Sequence, residues 1–439
     1  MEHSFYSDFS PLSSSEQHQK MCADLKGGDF TTDLVWSSPE GFTVQPIYYP
    51  SSESSSAKMT AEPTPWQLTQ RIDFTSDSAL LLSRIRTALA DAVEALYLIV
   101  GQHEALLEDI APVIASAKVT TVLILEQFPS SEIINSLKGV DELKFCFDFY
   151  GCFAQQGICP PHFEQHTLLW SNEAIADSRF PLYVDTSIYA NAGATLTQQL
   201  GFGLLHLNEY LHFCESHQIK KDQNVLIQFA QGGQYFLEIA KLKAFRLLAN
   251  TLFKAYPFTI NLELIAEPLQ RNKTCSDYNV NFLRTSSEMM SAILGGANLV
   301  MNHPYDLRFN PPSSFADRMA RNQLQLLKHE SYFDRLPDVV SGTYYLEKMI
   351  EEFTAHAWAL FLTYENEGGW LKQMQQNTIQ ETIAKSAQAE EDRIADGELV
   401  LVGTTKYHNP DALSAQPISE KPKSRTGLTI HPLLTTYLR

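Results

Sequence analysis

Cysteine is scarce in this chain of 439 residues, with six in all at positions 22, 146, 152, 159, 214 and 275. That is too few for a disulfide framework in a chain of this size. The gaps separating Cys146, Cys152 and Cys159 are longer than the short spacings of a zinc knuckle. A reducing, cytoplasmic compartment is the expectation. Long apolar runs are missing too. No window approaches the ~18 uninterrupted apolar residues of a membrane-spanning helix, and the opening "MEHSFYSDFSPLSSSEQHQK" lacks the apolar core of a secretory signal. Positive charge is in short supply, with 33 Lys and Arg against 51 Asp and Glu, for a net charge of -18. Such a field repels phosphate backbones and anionic bilayers, so neither nucleic acid nor membrane is expected as a partner. A polyanionic ligand would need a local basic pocket. The glycine pairs in "AQGGQ" (230–234) and "LGGAN" (294–298) lack the Lys-Ser/Thr of a phosphate loop and read as turn glycines. His206 and His212 stand six apart, outside the i, i+4 pairing of a helical zinc site, and His329 sits at a helix end.

What the chain does have is apolar content, 44% of residues, ample for a large core. Residues 1–67 read as an extended Ser/Pro/Glu-rich arm with an apolar island at Val44, Ile47 and Tyr48. From Leu68 onward short β-rich runs alternate with helical periodicity: "LTQRIDF", "ALYLIVG", "TVLILEQF", "KFCFDFYG", "PLYVDTSIY", "NVLIQFAQ", "TINLELIAE" and "NLVMNHPYD". Eight strands separated by helices predict a β/α (TIM) barrel over 68–335, with a doubly wound open sheet as the rival. A helical extension over 336–410 follows, with helices at 344–367 and 370–396 and a short strand in "LVLVGTTKYHNP". The remainder, 411–439, reads as a linker and a tail with Leu433, Leu434 and Tyr437. Bulky strand residues are expected to fill the barrel axis.

The chemistry is harder to place. Glu126, Asp148, Asp185, Glu267 and Asp306 lie at or near predicted strand ends, where a carboxylate pair can serve acid–base or glycosidase chemistry. Helix capping is the plainer role for such residues. The lysines of "IAKLKAF" (239–245) could meet an anion, but a solvated helix face is the simpler expectation. The stretch "FPLYVDTSIYANAGATL" (180–196) runs from strand to helix where a barrel enzyme keeps its catalytic groups. Yet Ser187, Ile188, Tyr189 and Ala190 include no evident acid, base or metal ligand.

Several stretches carry a family resemblance: "LRTSSEMMSAILGGANLV", "FADRMARNQLQLLKHESYFDR", "SGTYYLEKM", "GGWLKQM" and "VGTTKY", preceded by "VWSSPEGFTVQPIYY", "PWQLTQRIDF" and "FLEIAKLKAFRLL". In this order the chain resembles the methylmalonyl-CoA mutase family. The resemblance implies an eight-stranded barrel, reached above without it. It also implies propionate metabolism, in which catalytic chains interconvert acyl-CoA skeletons by radical chemistry with adenosylcobalamin. Those chains end their fifth barrel strand in a run like Tyr-His-x-x-Glu-Ala-Gly. Here the tyrosine position holds Ser187 and the histidine position Ile188, while the Ala-Gly ending survives as Ala192-Gly193. Isoleucine can neither move a proton nor orient a thioester carbonyl. Leu324 stands where an Ala-Arg-Asn-x-Gln pattern places glutamine, and Ala61 where a tyrosine precedes the Pro-Trp pair. The family's Gln-Thr-Ser-Gly segment is reduced to "RNKTCSDYN", and the cobalt-ligating Asp-x-His-x-x-Gly is not found.

The resemblance therefore implies no catalytic, cofactor-binding or metal-binding residue in this chain. The degenerate positions are Ser187, Ile188, Leu324 and Ala61. The chain looks like a small, non-catalytic subunit that binds no cofactor and pairs with a large catalytic subunit holding the adenosylcobalamin. A homodimer is its alternative when expressed alone. Two other readings remain open at this point. One is a catalytic barrel with its cobalamin domain on a separate chain. The other is an unrelated barrel hydrolase using Glu126, Asp185 or Glu267.

Overall fold

The computed structural model describes residues 12–49, 65–140, 142–157, 177–217, 223–336, 338, 341–411 and 427–428. Ala61, Cys159 and the tail residues Leu433, Leu434 and Tyr437 lie outside these. The main sheet is built from β1 (Gln67–Asp73), β2 (Ala95–Ile99), β3 (Thr120–Ile124), β4 (Leu143–Cys146), β5 (Leu182–Asp185), β6 (Gln223–Gln231), β7 (Ile260–Pro268) and β8 (Leu299–Asn302). All pairings are parallel, in the order β4-β3-β2-β1-β8-β7-β6-β5. The first strand pairs with the last, Leu299 opposite Gln67 through Asn302 opposite Gln70. That pairing wraps the sheet into a nearly closed barrel and excludes the doubly wound alternative.

Among the described residues there is no strand ladder between β4 and β5. Instead the Phe145 N–H donates to the Arg179 carbonyl at 2.7 Å, and the Asp185 N–H donates to the Asp148 carboxylate at 2.9 Å. One main-chain bond and one side chain thus hold the seam.

Both faces of each strand are buried, as a parallel sheet inside a ring of helices requires. Leu96, Leu98, Leu123, Phe145, Val184, Ile227 and Leu264 join the core beneath the helices. Ala95, Tyr97, Val122, Cys146, Tyr183, Leu226, Ile265, Leu299 and Met301 form a separate cluster inside the barrel. In the run "FCFDFYG" the bulk therefore goes the other way from the expectation. Phe145 and Phe147 pack in the outer core, and the smaller Cys146 belongs to the interior.

Helix positions follow the periodicity to within a few residues, with two corrections. The segment expected as one helix over 370–396 is two, Gly369–Gln375 and Thr378–Ala395. The break falls at Asn377, whose φ of 60° lies in the left-handed region that asparagine tolerates better than most residues. In "LVLVGTTKYHNP" a single bridge, Val402 to Lys406, stands in place of a strand.

The solvated face expected for "IAKLKAF" is also overturned. Helix Tyr235–Phe253 is packed between the barrel and helix Tyr344–Asn366. Lys241 is fully buried, donating to Gln199 Oε1 at 3.0 Å and to the Ala230 carbonyl at 2.6 Å, and buried Lys243 pairs with Asp338 at 2.9 Å.

The described part of the N-terminal region contains helices Ser14–Asp24 and Phe30–Leu34 and a two-stranded ribbon, Trp36–Ser37 with Thr43–Val44. It is seated on its own chain. The buried Glu40 carboxylate accepts the Thr197 N–H at 2.7 Å, satisfying an orphan donor in the first turn of helix Leu196–Ser216. Phe42 meets Phe353 edge-on at 5.2 Å, and Val44 is buried, so Val44 is not free for a neighbour.

Gly193 ends the short helix Ser187–Ala192 with φ of 105°, and a Cβ there would lie 2.5 Å from the Ala387 Cβ. Gly193→Ala combines a left-handed backbone penalty with overpacking, a loss of about 2–4 kcal/mol. Urea unfolding should show a clearly lowered midpoint; an unchanged midpoint would contradict this packing.

Candidate functional site

In a β/α barrel the C-terminal ends of the strands form the mouth where chemistry is placed. Register fixes which side chains reach it. Tyr97 of the interior cluster stands opposite Arg71, so Arg71 points inward as well. Arg71 Nε donates to Asp73 Oδ1 at 2.9 Å, and its Nη1 lies 3.3 Å from both Glu267 Oε2 and His303 Nε2. His303 Nε2 is 3.0 Å from the same Glu267 oxygen. On the β5 side, Asp185 Oδ1 accepts the Ser187 N–H at 2.9 Å, and the Ser187 side chain also hydrogen-bonds the Asp185 and Glu267 carboxylates.

The two carboxylates are driven apart in acidity. Burial, reinforced by the nearby Glu267 charge, pushes the Asp185 carboxyl up to about 7. Burial works against Glu267 too, but His303 and Arg71 beside it outweigh that and hold its carboxyl below the usual range. Burial lowers the basicity of His303 despite the Glu267 charge. One carboxyl raised and one lowered, beside a histidine, are a general acid–base set in principle. Asp73, Asp185 and Glu267 share the mouth with the guanidinium of Arg71, and Arg84 adjoins Asp73.

Below the mouth the axis is crossed twice more. The hydroxyls of Tyr97 of β2 and Tyr183 of β5 lie 2.9 Å apart and 2.6 and 2.8 Å from Gln228 Oε1 on β6, so that one hydroxyl donates to the other or both donate to the amide oxygen. Nearer the N-terminal end, Lys144 of β4 reaches across to both oxygens of Glu263 on β7, at 2.6 and 2.7 Å. Beneath that pair opens a cavity of about 510 Å³, lined in part by Arg179, Glu142 and Gln67. Three polar bars therefore span the interior, at the bottom, middle and top.

Of the five strand-end carboxylates, the structure brings Asp185 and Glu267 together. Glu126 is exposed and takes no part. Asp306 anchors a turn, its carboxylate accepting from Asn310 Nδ2 at 3.0 Å. Asp148 caps helix Phe149–Gln156 through the Gly151 N–H at 2.7 Å. It also takes His206 Nε2 at 3.1 Å and the Tyr210 hydroxyl at 2.8 Å. His206 Nδ1 in turn meets the Tyr189 hydroxyl at 3.0 Å, which accepts the Trp370 indole N–H at 2.7 Å.

Ser187 and Ile188 lie in the first turn of helix Ser187–Ala192 and not on the strand itself, and both are buried. Leu324 packs in the core under the helices. The polar work there falls to Gln323, which donates to the Phe282 carbonyl and Ser286 Oγ and accepts from Asn302 Nδ2. Sequence reasoning missed Arg71, Asp73, His303 and the Tyr97–Tyr183–Gln228 bar. The available signal was a polar or hydroxyl residue at alternate positions of otherwise apolar strands, as in Arg71 and Asp73 of β1.

Residues 166–427, well over half of the chain, match the protein-family model described as methylmalonyl-CoA mutase. The chain is 28% identical to the methylmalonyl-CoA mutase small subunit of Porphyromonas gingivalis, over 92% of this chain and 71% of that protein. It is 27% identical to the Streptomyces virginiae small subunit, over 56% of this chain and 41% of that one. With the large subunit of Propionibacterium freudenreichii subsp. shermanii it shares 28% identity, over 50% of this chain and 32% of the relative. The chain thus spans less than half the length of the latter two.

The raised pKa of Asp185 implies a pH dependence. Between about pH 4 and 7 the folded chain keeps a proton that the unfolded chain has lost, so this group lowers stability as pH rises through that window. Asp185→Asn keeps an oxygen for the Ser187 N–H and removes the cost of ionisation. It should match the parent near pH 4 and exceed it at pH 8 by on the order of 1–3 kcal/mol in chemical denaturation. A variant no more stable at pH 8 than the parent would refute the assignment.

Proposed function

The chain belongs to the methylmalonyl-CoA mutase family, and from that premise we propose that it is a non-catalytic small subunit serving a catalytic large subunit. On this reading the interconversion of methylmalonyl-CoA and succinyl-CoA, and the adenosylcobalamin it uses, belong to the partner. The observation that carries the reading is the crossed axis. A thioester arm threaded along the barrel would have to displace the Lys144–Glu263 pair and the Tyr97–Tyr183–Gln228 bar. Each is a set of paired polar groups whose separation inside a core leaves costly unsatisfied partners.

The mouth adds a second argument. Methylmalonyl-CoA is an anion, and the Arg71 guanidinium at the mouth is already paired with Asp73 and Glu267. Where the family's catalytic chains present tyrosine and histidine to substrate and corrin, this chain has Ser187, engaged with Asp185 and Glu267, and Ile188, buried in the hydrophobic core. These residues do not fit the role of a corrin contact, and no catalytic step is assigned to them. The acid–base set of Asp185, Glu267 and His303 is accounted for by its partners within the chain, and so needs no hydrolase reading. A chain without chemistry of its own can still act by binding the folded state of one that has it.

Mixed with adenosylcobalamin, the purified chain should leave the corrin absorbance spectrum unchanged and form no succinyl-CoA from methylmalonyl-CoA. Co-expressed with the large subunit from the same source, it should co-elute with it in size-exclusion chromatography. A saturable corrin spectral shift on titration of the isolated chain would overturn the non-catalytic assignment. Separate elution of the two chains at micromolar concentration would overturn the subunit assignment.

A further inference from the structure

Helix Phe149–Gln156 stands at the seam between β4 and β5, and it is tied down along its whole length. Its first turn is held by Asp148, the carboxylate that also takes the Asp185 N–H of β5. Its flank carries Tyr150 and Phe153 against Trp370, ring centroids 5.5 and 6.1 Å away. Its last turn receives a contact from far along the chain. The Leu428 N–H donates to the Ala154 carbonyl at 2.8 Å, and the Leu428 side chain is buried in the same core as Phe149, Tyr150 and Phe153. The last four carbonyls of a helix lack a partner within it, so this bond satisfies an orphan acceptor. Gly427 makes the approach possible, because a Cβ there would run into the Gln155 carbonyl oxygen.

We propose that the segment carrying Gly427 and Leu428 is a strap that holds the β4–β5 seam by fixing the far end of this helix. Elsewhere the barrel is held by ladders, five paired residues between β1 and β2 and nine between β6 and β7. At the seam the described bonds are the Phe145 N–H to the Arg179 carbonyl and the Asp185 N–H to the Asp148 side chain. The second of these is only as firm as the helix that Asp148 caps. A helix of eight residues is not stable by itself and depends on what packs against it. Trp370 supplies that packing on one flank, and Leu428 supplies it at the end.

The helix therefore couples two distant places, the strap at its C-terminal end and the barrel mouth beyond its N-terminal end, where Asp185 stands. Such coupling is reciprocal: whatever draws the strap away loosens the seam, and whatever firms the seam holds the strap. The device belongs to this chain alone and stands whether or not the chain is a small subunit.

The test is hydrogen–deuterium exchange of the full chain, read peptide by peptide. Leu428→Ser should speed exchange at least ~10-fold in peptides covering 149–156 and 182–187, as losing a buried leucine from a locally opening unit does. Peptides covering β1 and β2 should keep the parent's rates. Gly427→Val, which forces the strap off the Gln155 carbonyl, should give the same local pattern. The control Leu80→Ser, at a leucine 44% exposed, should leave all these peptides within about twofold of the parent. If Leu428→Ser does not fold, Leu428→Ala is read in the same way. Unchanged exchange at 149–156 and 182–187 would overturn the proposal. So would exchange that quickens equally in β1 and β2, since Leu428 would then be a core residue like any other.

Discussion

A barrel of parallel strands has to be closed somewhere, and in this one a buried carboxylate does so beside a single main-chain bond, Phe145 to Arg179. Asp148 accepts four hydrogen bonds, from the Gly151 and Asp185 amides, from Tyr210 and from His206. Burial works against its charge, but His206 and the two amides keep the carboxyl below its usual range. A charge in that position is tolerable only because every donor around it is aimed at it. The start of helix Phe149–Gln156, the end of β5 and the middle of helix Leu196–Ser216 are all held by the same two oxygens. Removing them would leave several donors unsatisfied across the one seam without a strand ladder.

From that anchor a polar chain runs outward through His206 and Tyr189 to Trp370, and it gives a physical reason for motifs that have no need of catalysis. The tryptophan of "GGWLKQM" is fully buried with its indole N–H on Tyr189. The two glycines before it take φ of 116° and 77°, which side chains with a Cβ rarely adopt. At the other end of the run, Gly193 is required by its own φ and by the approach of Ala387. Selection for a closed, well-packed barrel can therefore preserve the Ala-Gly ending and the Gly-Gly-Trp corner while the positions between them change. In the proposed reading Ser187 and Ile188 are two such positions, and the partners described for them are internal.

The barrel was legible in the sequence because eight apolar runs alternate with helical periodicity, and no packing detail is needed to see that. Which way each side chain points was not legible. A strand buried on both faces is apolar throughout, so the alternation that marks an inside and an outside is erased. "KFCFDFYG" shows the consequence: the phenylalanines went to the helices and Cys146 to the axis. "IAKLKAF" failed for a related reason. A helix covered on its outer side by another helix keeps its lysines only by pairing them; Lys241 meets Glu238 one turn away, but Gln199 and Asp338, which complete the pairing, lie dozens of residues away in the chain. The mouth could be half read. Asp185 and Glu267 were visible as strand-end carboxylates, whereas their union with Arg71 and His303 depends on the curvature that brings β1, β5, β7 and β8 to one axis.

The same geometry bears on why a single replacement cannot describe what this barrel has become. In the proposed reading, the isoleucine at 188 is one of several mutually reinforcing changes. Bars of paired side chains fill the axis where an open barrel would leave a cavity, and a filled core is worth more to a chain valued for its fold than an empty channel. The mouth carries carboxylates that an anionic thioester would have to approach, and burial and the neighbouring Glu267 charge make one of them, Asp185, keep its proton. These features support one another: once no ligand has to enter, nothing penalises side chains that cross the axis, and once they cross it, a histidine at the mouth would have no substrate to meet.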